Sequence, residues 1–493
     1  MPLPIESTLW PPPAWAPALD RYRLDEAWWV NDSDMLRAIY SSGSAANGAV
    51  SPGGNRNLAG LTKRGGIRNL FRRWAAAASS PANEKRTDLP MGIAGNLATL
   101  SAQQLTSEPP VFRLLEGTGE RKGKPQKGKS TDRLDMIANS DDAHMTLIEG
   151  AEAAAALGST VTKLVWDSSD DERDSVWFET VGGDCAFPEF RNGRMIAVNL
   201  WTEYPGRTTN RVYRHIERHE SGFIIHALYD GTEVNIGKMV PLQSVDALAW
   251  IADVEGAMSV QNADFAVALP TGTSRLTAAW WRNLPTLDWR KNGDMSLLGR
   301  SDFNGIEPIL DSYNEAWGSM MRDVRIGKAR AMIPNSMLKS MGIGQGGQFD
   351  SEREFYQGME FLNPDATTSQ IVTYQAAIRW QEHMGVLAGL KLELLDGAGW
   401  SMSSYGNPLG IQSQGGVTAT EVVDRTTKSE RTRDQKSLYM KQAFAPLMRT
   451  ALEVDGIVYP GKGGGFFPDL VIEFPDVSQV DPEKQARTFM DLS

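Results

Sequence analysis

Three stretches of helix length crowd the second half of the chain, and their order constrains the fold more than any other feature. The first, 304–334, reads NGIEPILDSYNEAWGSMMRDVRIGKARAMIP. Ile306, Ile309, Leu310, Tyr313, Trp317, Met320, Met321 and Val324 recur mostly at steps of three or four, which lays one apolar stripe along a helix. Asn304 is placed to cap its start and Pro334 to stop it, while Pro308 falls in the first turn, where a missing amide costs least. Acids come early (Glu307, Asp311, Glu315) and bases late (Arg322, Arg325, Lys328, Arg330), an order that complements the helix dipole. Taken alone, this is an ordinary amphipathic core helix.

A short excursion over 334–364 follows, Gly-rich at first and aromatic later, and the spacing then predicts a second helix over 367–395. Gly385 and Gly389 lie inside it, so a bend is expected. After a Gly-rich gap, Thr418 and Glu421 make a capping box for a third helix over 418–454. That helix would run roughly 55 Å at the standard rise, with a kink expected at Pro446. It is densely charged through Lys436 and more apolar afterwards. The pattern suggests packing against neighbours across charged faces, the plainer alternative being a solvated surface.

With 493 residues the chain can hold two to four domains and a sizeable core. Fifty Lys and Arg stand against 61 Asp and Glu, for a net charge of −11, which argues against a sequence-specific duplex binder with its basic face. Cys185 is the one cysteine, so a disulfide framework and a thiolate metal cluster are both excluded. The opening MPLPIESTLWPPPAW lacks the basic and apolar regions of a signal peptide, and no apolar run reaches membrane-spanning length. A reducing cytoplasm, or export inside a particle, is the expected setting.

Earlier in the chain, helices are expected over 24–40, 89–105 and 131–157. Strand character marks 161–166, 175–180, 195–203, 211–220 and 223–229, with a hairpin turn at Ser221 and Gly222. The stretch 265–303, with Trp280, Trp281 and Trp289 among Gly and Asn, reads as irregular. The basic, aromatic run KRGGIRNLFRRW at 63–74 could touch nucleic acid, though a solvated basic face explains it as well.

Chemical motifs are few. GKPQKGKS, from Gly123 to Ser130, matches the phosphate-binding pattern G-x-x-x-x-G-K-[ST]. The apolar run at 111–115 ends well before Gly123, Pro125 removes an amide needed to cradle phosphate, and the four nearby lysines suit a solvated loop. His215, Glu217 and His219 share one strand face with His226 across the hairpin, a set that could hold zinc, though half-exposed polar alternation explains the spacing more simply. The acidic run at 167–174 lacks the Gly turn of a calcium loop and reads as a hairpin tip. No catalytic residue, metal ligand or cofactor-binding residue is assigned.

Four long runs in fixed order resemble the portal proteins of tailed bacteriophages, of the type found in siphophages of actinobacteria. They are LPMGIAGNLATLSAQQLTSEPPVF at 89–112, VYRHIERHESGFIIHALYDGTEVNIG at 212–237, LGRSDFNGIEPILDSYNEAWGSMMRDVRIGKARAMIP at 298–334, and TATEVVDRTTKSERTRDQKSLYMKQAFAPLMRTALEVD at 418–455. The resemblance spans about 10–481. It implies an α+β portal fold with a β-containing wing, a two-helix stem, a small α/β clip, a long kinked helix and a short or truncated crown. The segments would be 1–304 (N-terminal arm and wing), 305–333 (first stem helix), 334–366 (clip), 367–395 (second stem helix), 396–416 (tunnel loop), 417–455 (long helix) and 456–493 (a wing strand and the start of the crown).

By the same resemblance the function is mechanical. A ring of these subunits, expected to be dodecameric, would sit at one capsid vertex of the virion, after assembly in the host cytoplasm. It would pass double-stranded DNA in and out without reading sequence. Its partners would be further copies of itself, the terminase large subunit, a head-tail adaptor, and the major capsid and scaffold proteins, with no membrane and no cofactor. Ser404, Asn407, Gln412 and Gln414 would face DNA from the tunnel loop. Lys339, Glu352, Arg353 and Glu354 would face terminase or adaptor from the clip. Arg322, Arg325, Arg330, Glu421, Arg425, Arg431 and Arg433 would lie in the stem and at subunit interfaces. The competing expectations are a nucleotide hydrolase using the run from Gly123 to Ser130, and a non-enzymatic cytosolic scaffold.

Overall fold

The computed structural model describes residues 3–45, 91–106, 108–115, 126–167, 174–206, 208–254, 256–260, 263–327, 330–332, 372–374, 377–405 and 419–475. Backbone contacts divide the chain into two units, with boundaries at Leu310–Asp311 and Lys391–Leu392. The stretch between belongs to one unit and the described chain on either side to the other.

In chain order the outer unit begins with α1 (Ala16–Trp29), α2 (Ser33–Ala45), α3 (Ile93–Thr106), β1 (Val111–Leu114), α4 (Lys129–Ala138) and α5 (Asp141–Leu157). The strands β2 (Ser159–Val165), β3 (Trp177–Gly182), β4 (Ala186–Arg191), β5 (Arg194–Pro205), β6 (Val212–Glu220), β7 (Phe223–Thr232) and β8 (Asn235–Val240) come next. After a 3-10 turn over Asp246–Asp253 come β9 (Met258–Val260), β10 (Ala263–Pro270), β11 (Ala278–Arg282), β12 (Leu284–Pro285) and β13 (Gly299–Arg300). Helix α6 (Glu307–Ile326), strands β14 (Arg330–Met332) and β15 (Val372–Tyr374), and helix α7 (Trp380–Ala398) follow. The 40-residue α8 (Ala419–Val458) and β16 (Leu470–Glu473) complete an α+β chain.

All strand pairings among the described residues are antiparallel. The larger sheet runs β4-β5-β6-β7-β10-β9, with β8 also on β7, and a smaller one runs β11-β2-β3. The expected hairpin is present: β6 and β7 pair from Glu220 opposite Phe223 outward, which leaves Ser221 and Gly222 as a two-residue turn.

One large core joins the helices to the smaller sheet. Leu134, Leu147, Leu164, Phe178, Trp281, Phe444 and Leu452 are among its buried members, and β1 and β16 close one side of it. The indole of Trp281 meets the ring of Phe444 edge-on, centroids 5.4 Å apart. The apolar second half of α8 is therefore a core element of its own chain. Helix α5 approaches the same indole through small residues. Its last turn ends at Gly158, whose φ of +83° and close approach to the backbone of Arg300 and Ser301 leave no room for a side chain.

Several expectations are corrected. The helix expected over 24–40 is two helices, broken at Val30–Asp32, because Asp32 accepts from the amides of Asp34 and Met35 and starts α2. The helix expected over 131–157 is also two, because Ser140 caps α5 by accepting from the amide of Ala143. The irregular stretch 265–303 contains β11, in which Trp281 is buried. Helix α6 ends at Ile326 rather than Pro334, since Arg330–Met332 pairs with Val372–Tyr374. The same pairing replaces part of the helix expected over 367–395, since Val372, Thr373 and Tyr374 form a strand, for which these residue types have high propensity. Asn304 does not cap α6: its side-chain amide donates to Asp288, and the helix begins at Glu307. Helix α8 is continuous from Ala419 to Val458 and carries Pro446, the expected kink position, inside it. The capping side chains expected at 418 and 421 lie outside the described residues.

Candidate functional site

The chain enters α6 through a short segment, Ser301 to Glu307, held by two buried charge networks. Arg21 of α1 reaches Asp25 at 2.7 Å, Glu307 at 2.5 Å and the hydroxyl of Ser301 at 3.1 Å, and Ser301 donates in turn to Asp25. Burial pushes the Asp25 carboxyl up to about 6, against the lowering pull of Arg21. One residue further on, Asp302 accepts both contacts of the Lys436 ammonium, at 2.7 and 2.8 Å, and a third bond from Asn283 at 2.8 Å. Lys436 spends its remaining donor on Ser101 of α3. The two ionic side chains are 1% and 0% exposed, so neither is solvated except by the other and these amide and hydroxyl groups. Burial lowers the pKa of Lys436, and Asp302 opposes that shift.

The chain leaving α7 returns to the same face of α8. Gly397 packs so closely on Ile306 that a Cβ there would fall 2.5 Å from its side chain. Lys428 donates to the carbonyl of Asp396 at 2.9 Å, and Thr432 donates to the carbonyl of Gly399 at 2.7 Å. The buried ring of Trp400 lies 5.1 Å from the Lys436 ammonium. Ser429 then gathers a hydroxyl cluster: it accepts from the Ser401 amide at 2.9 Å and the Ser404 hydroxyl at 2.8 Å, and lies 3.0 Å from the Ser401 hydroxyl. Ser429, Thr432 and Lys436 follow one another at helical spacing and present one polar stripe.

In the inner unit, Asp323 of α6 accepts from Arg379 and from His383 of α7, each at 2.9 Å. The hydrogen bond from His383 comes first among the effects that hold the Asp323 carboxyl below its usual range, with Arg379 adding to it. Gly327 sits against Ile378 beside this cross-link, and the β14–β15 ladder follows.

A second buried polar cluster lies on β6 and β7. His215 and His226 stack, and Glu217 bridges Lys163 at 2.7 Å and His219 at 3.0 Å. His219 also meets the hydroxyl of Thr277 at 2.7 Å. Burial would raise the Glu217 pKa, but the bond from His219 and the charge of Lys163 hold it well below the usual range. Among the described residues no set of three His, Cys, Asp or Glu is arranged to hold a metal ion. The phosphate-binding match also meets the structure in part: α4 begins at Lys129 after Gly128, while β1 upstream pairs antiparallel with β16.

Of the residues singled out in sequence, Ser404 is drawn into the hydroxyl cluster of Ser429, so the first turn of the expected tunnel loop is tied to α8. Asn407, Gln412 and Gln414, and the clip set Lys339, Glu352, Arg353 and Glu354, lie outside the described residues, as do the side chains of Arg325, Arg330, Glu421 and Arg425. Arg322 and Arg431 are exposed on α6 and α8. Arg433 is 8% exposed and donates to the Pro475 carbonyl at 3.0 Å within its own chain. Lys436, Asp302 and Trp400 were not anticipated. The one sequence signal is a lysine at the turn where α8 changes from charged to apolar.

No protein-family model and no curated protein matches the chain.

Proposed function

We propose that this chain is a portal subunit: a non-enzymatic ring component that conducts double-stranded DNA through a capsid vertex and docks a terminase and a head-tail adaptor. The observation that carries the reading is the chain order of α6, the β14–β15 ladder, α7, a serine-rich turn and the 40-residue α8. A helix pair with a strand-bounded insertion, followed by a long helix, is the layout the sequence resemblance implies. The four long sequence runs support it independently of that layout. Global acidity fits a conduit, since tight phosphate contacts would hold DNA where it must move.

In this reading the subunits close heterologously into a ring, expected to be dodecameric, and bind duplex weakly without sequence preference. The test is the mass and shape of the purified full chain. Electron microscopy should show rings, and light scattering a particle many times the 54.2 kDa subunit. A monodisperse monomer at micromolar concentration in low and moderate salt would overturn the proposal.

One observation favours a second reading. A helix starting at Lys129, the lysine of the G-x-x-x-x-G-K-[ST] match, is where a phosphate cradle would need one. Nucleotide turnover by the purified chain, abolished by Lys129→Ala, would establish that reading instead.

A further inference from the structure

Both connections to the inner unit meet at one side chain. The inbound segment offers Asp302, whose carboxylate takes two hydrogen bonds from Lys436. The outbound segment offers Trp400, whose ring face lies 5.1 Å from the same ammonium. The other contacts of the outbound segment with α8 are neutral hydrogen bonds at Ser429 and Thr432 and the exposed ion pair of Lys428 with Asp396, which exchange with neighbouring groups or water at small cost. The Lys436 contacts are of another kind. A buried ammonium cannot release Asp302 without leaving two charges unpaired in a dry site. Asp302 is itself immobilised, by its amide on the Ala155 carbonyl at 2.8 Å and by Asn283 on its carboxylate. Next to it, Ser301 is held by Arg21 and Asp25. A displacement of the inbound segment is thus resisted at Asp302 and presented, through one ammonium, to the ring of Trp400.

We infer that Lys436 is a positioning residue that couples the inbound segment at Ser301–Asp302 to the outbound segment at Trp400–Ser404, so that the two respond as one to a perturbation of either. This holds whether or not the chain forms a ring.

The test is a perturbation at one end read at the other. Ser301→Ala loosens the inbound segment without touching the outbound one. Peptide-resolved hydrogen exchange on the full chain should then quicken at 301–310 and also at 399–405, by about fivefold or more at the second site. In the background Lys436→Met with Asp302→Asn, which removes both charges together, the same Ser301→Ala change should quicken 301–310 alone. Trp400→Leu, which leaves the ion pair intact, provides a second background, with the same confinement expected. Cooperative thermal unfolding of each background establishes that it is folded. Transmission to 399–405 that survives in either folded background would overturn the inference, as would its absence in the otherwise native chain.

Discussion

His215 Nε2 lies 3.1 Å from His226 Nδ1, on rings only 4° from parallel. One nitrogen must donate and the other accept, so the two rings cannot both be protonated while the bond holds. Burial comes first among the effects that lower both pKa values, to about 4 for His215 and about 3 for His226. Well above pH 7 neither ring is charged, folded or unfolded, and the pair contributes nothing to pH dependence. As the pH falls from about 6.5 towards 4, the unfolded chain takes up protons that the folded chain cannot, and stability falls. Asp25, raised to about 6, acts in the opposite sense over part of this window, so the difference between variants is the cleaner measure. His215→Gln with His226→Gln keeps a donor and an acceptor and removes the titration. Relative to the native chain, this variant should gain on the order of a few kcal/mol between pH 7.5 and 5, read from denaturant midpoints. A gap that does not change with pH would refute the assignment.

Asp323→Asn should loosen the inner unit. It removes the carboxylate shared by Arg379 and His383 and costs roughly 1 kcal/mol, because the site is only partly buried. Amide exchange should quicken in the last turn of α6 and the first turn of α7. The native contribution should be present above the ordinary carboxylate range and fade as the pH drops through the lowered value of Asp323. Unchanged protection at both helix ends would count against the cross-link.

Gly158→Ala should cost about 2 kcal/mol or more. The new methyl would meet the backbone of Arg300 and Ser301 at 2.8 Å, in a left-handed conformation that alanine avoids. The check is a calorimetric melt of the purified variant; a midpoint within a degree of the native chain would show that this turn relaxes freely.

Trp281→Ala should be the most damaging of these substitutions, at about 3–5 kcal/mol. The indole is 1% exposed, meets Phe444 of α8, and lies against Gly150 of α5. Trp281→Phe should recover about half of the loss, since it preserves an aromatic edge for Phe444. Equal losses for the two variants would mean that volume is not what the site requires.

Strands with clean alternation were legible in the sequence, as was the β6–β7 hairpin with its Ser-Gly turn. Helices were legible in kind but not at their ends. Ser140 and Asp32 each start a helix inside what reads as one periodic run, because two helices in tandem keep an apolar period that a single residue interrupts. Val372–Tyr374 adjoins a helical pattern, and its pairing with Arg330–Met332 joins residues 40 to 44 apart in sequence, from Met332 with Val372 to Arg330 with Tyr374. The junction at Lys436 was not legible at all. Asp302 and Trp400 are distant from Lys436 in sequence, and a lysine in a charged stretch of helix is ordinarily solvated. Its burial is a property of the tertiary fold alone.

The β14–β15 ladder brings Met332 and Val372 side by side, at the roughly 5 Å separation of paired strands. The two ends of the interval between those positions are therefore held at that separation. Lengthening it changes the closure entropy only logarithmically, by about 0.6 kcal/mol for each doubling. Selection can therefore rewrite that interval, in length and in surface chemistry, while the helices on either side keep their registry.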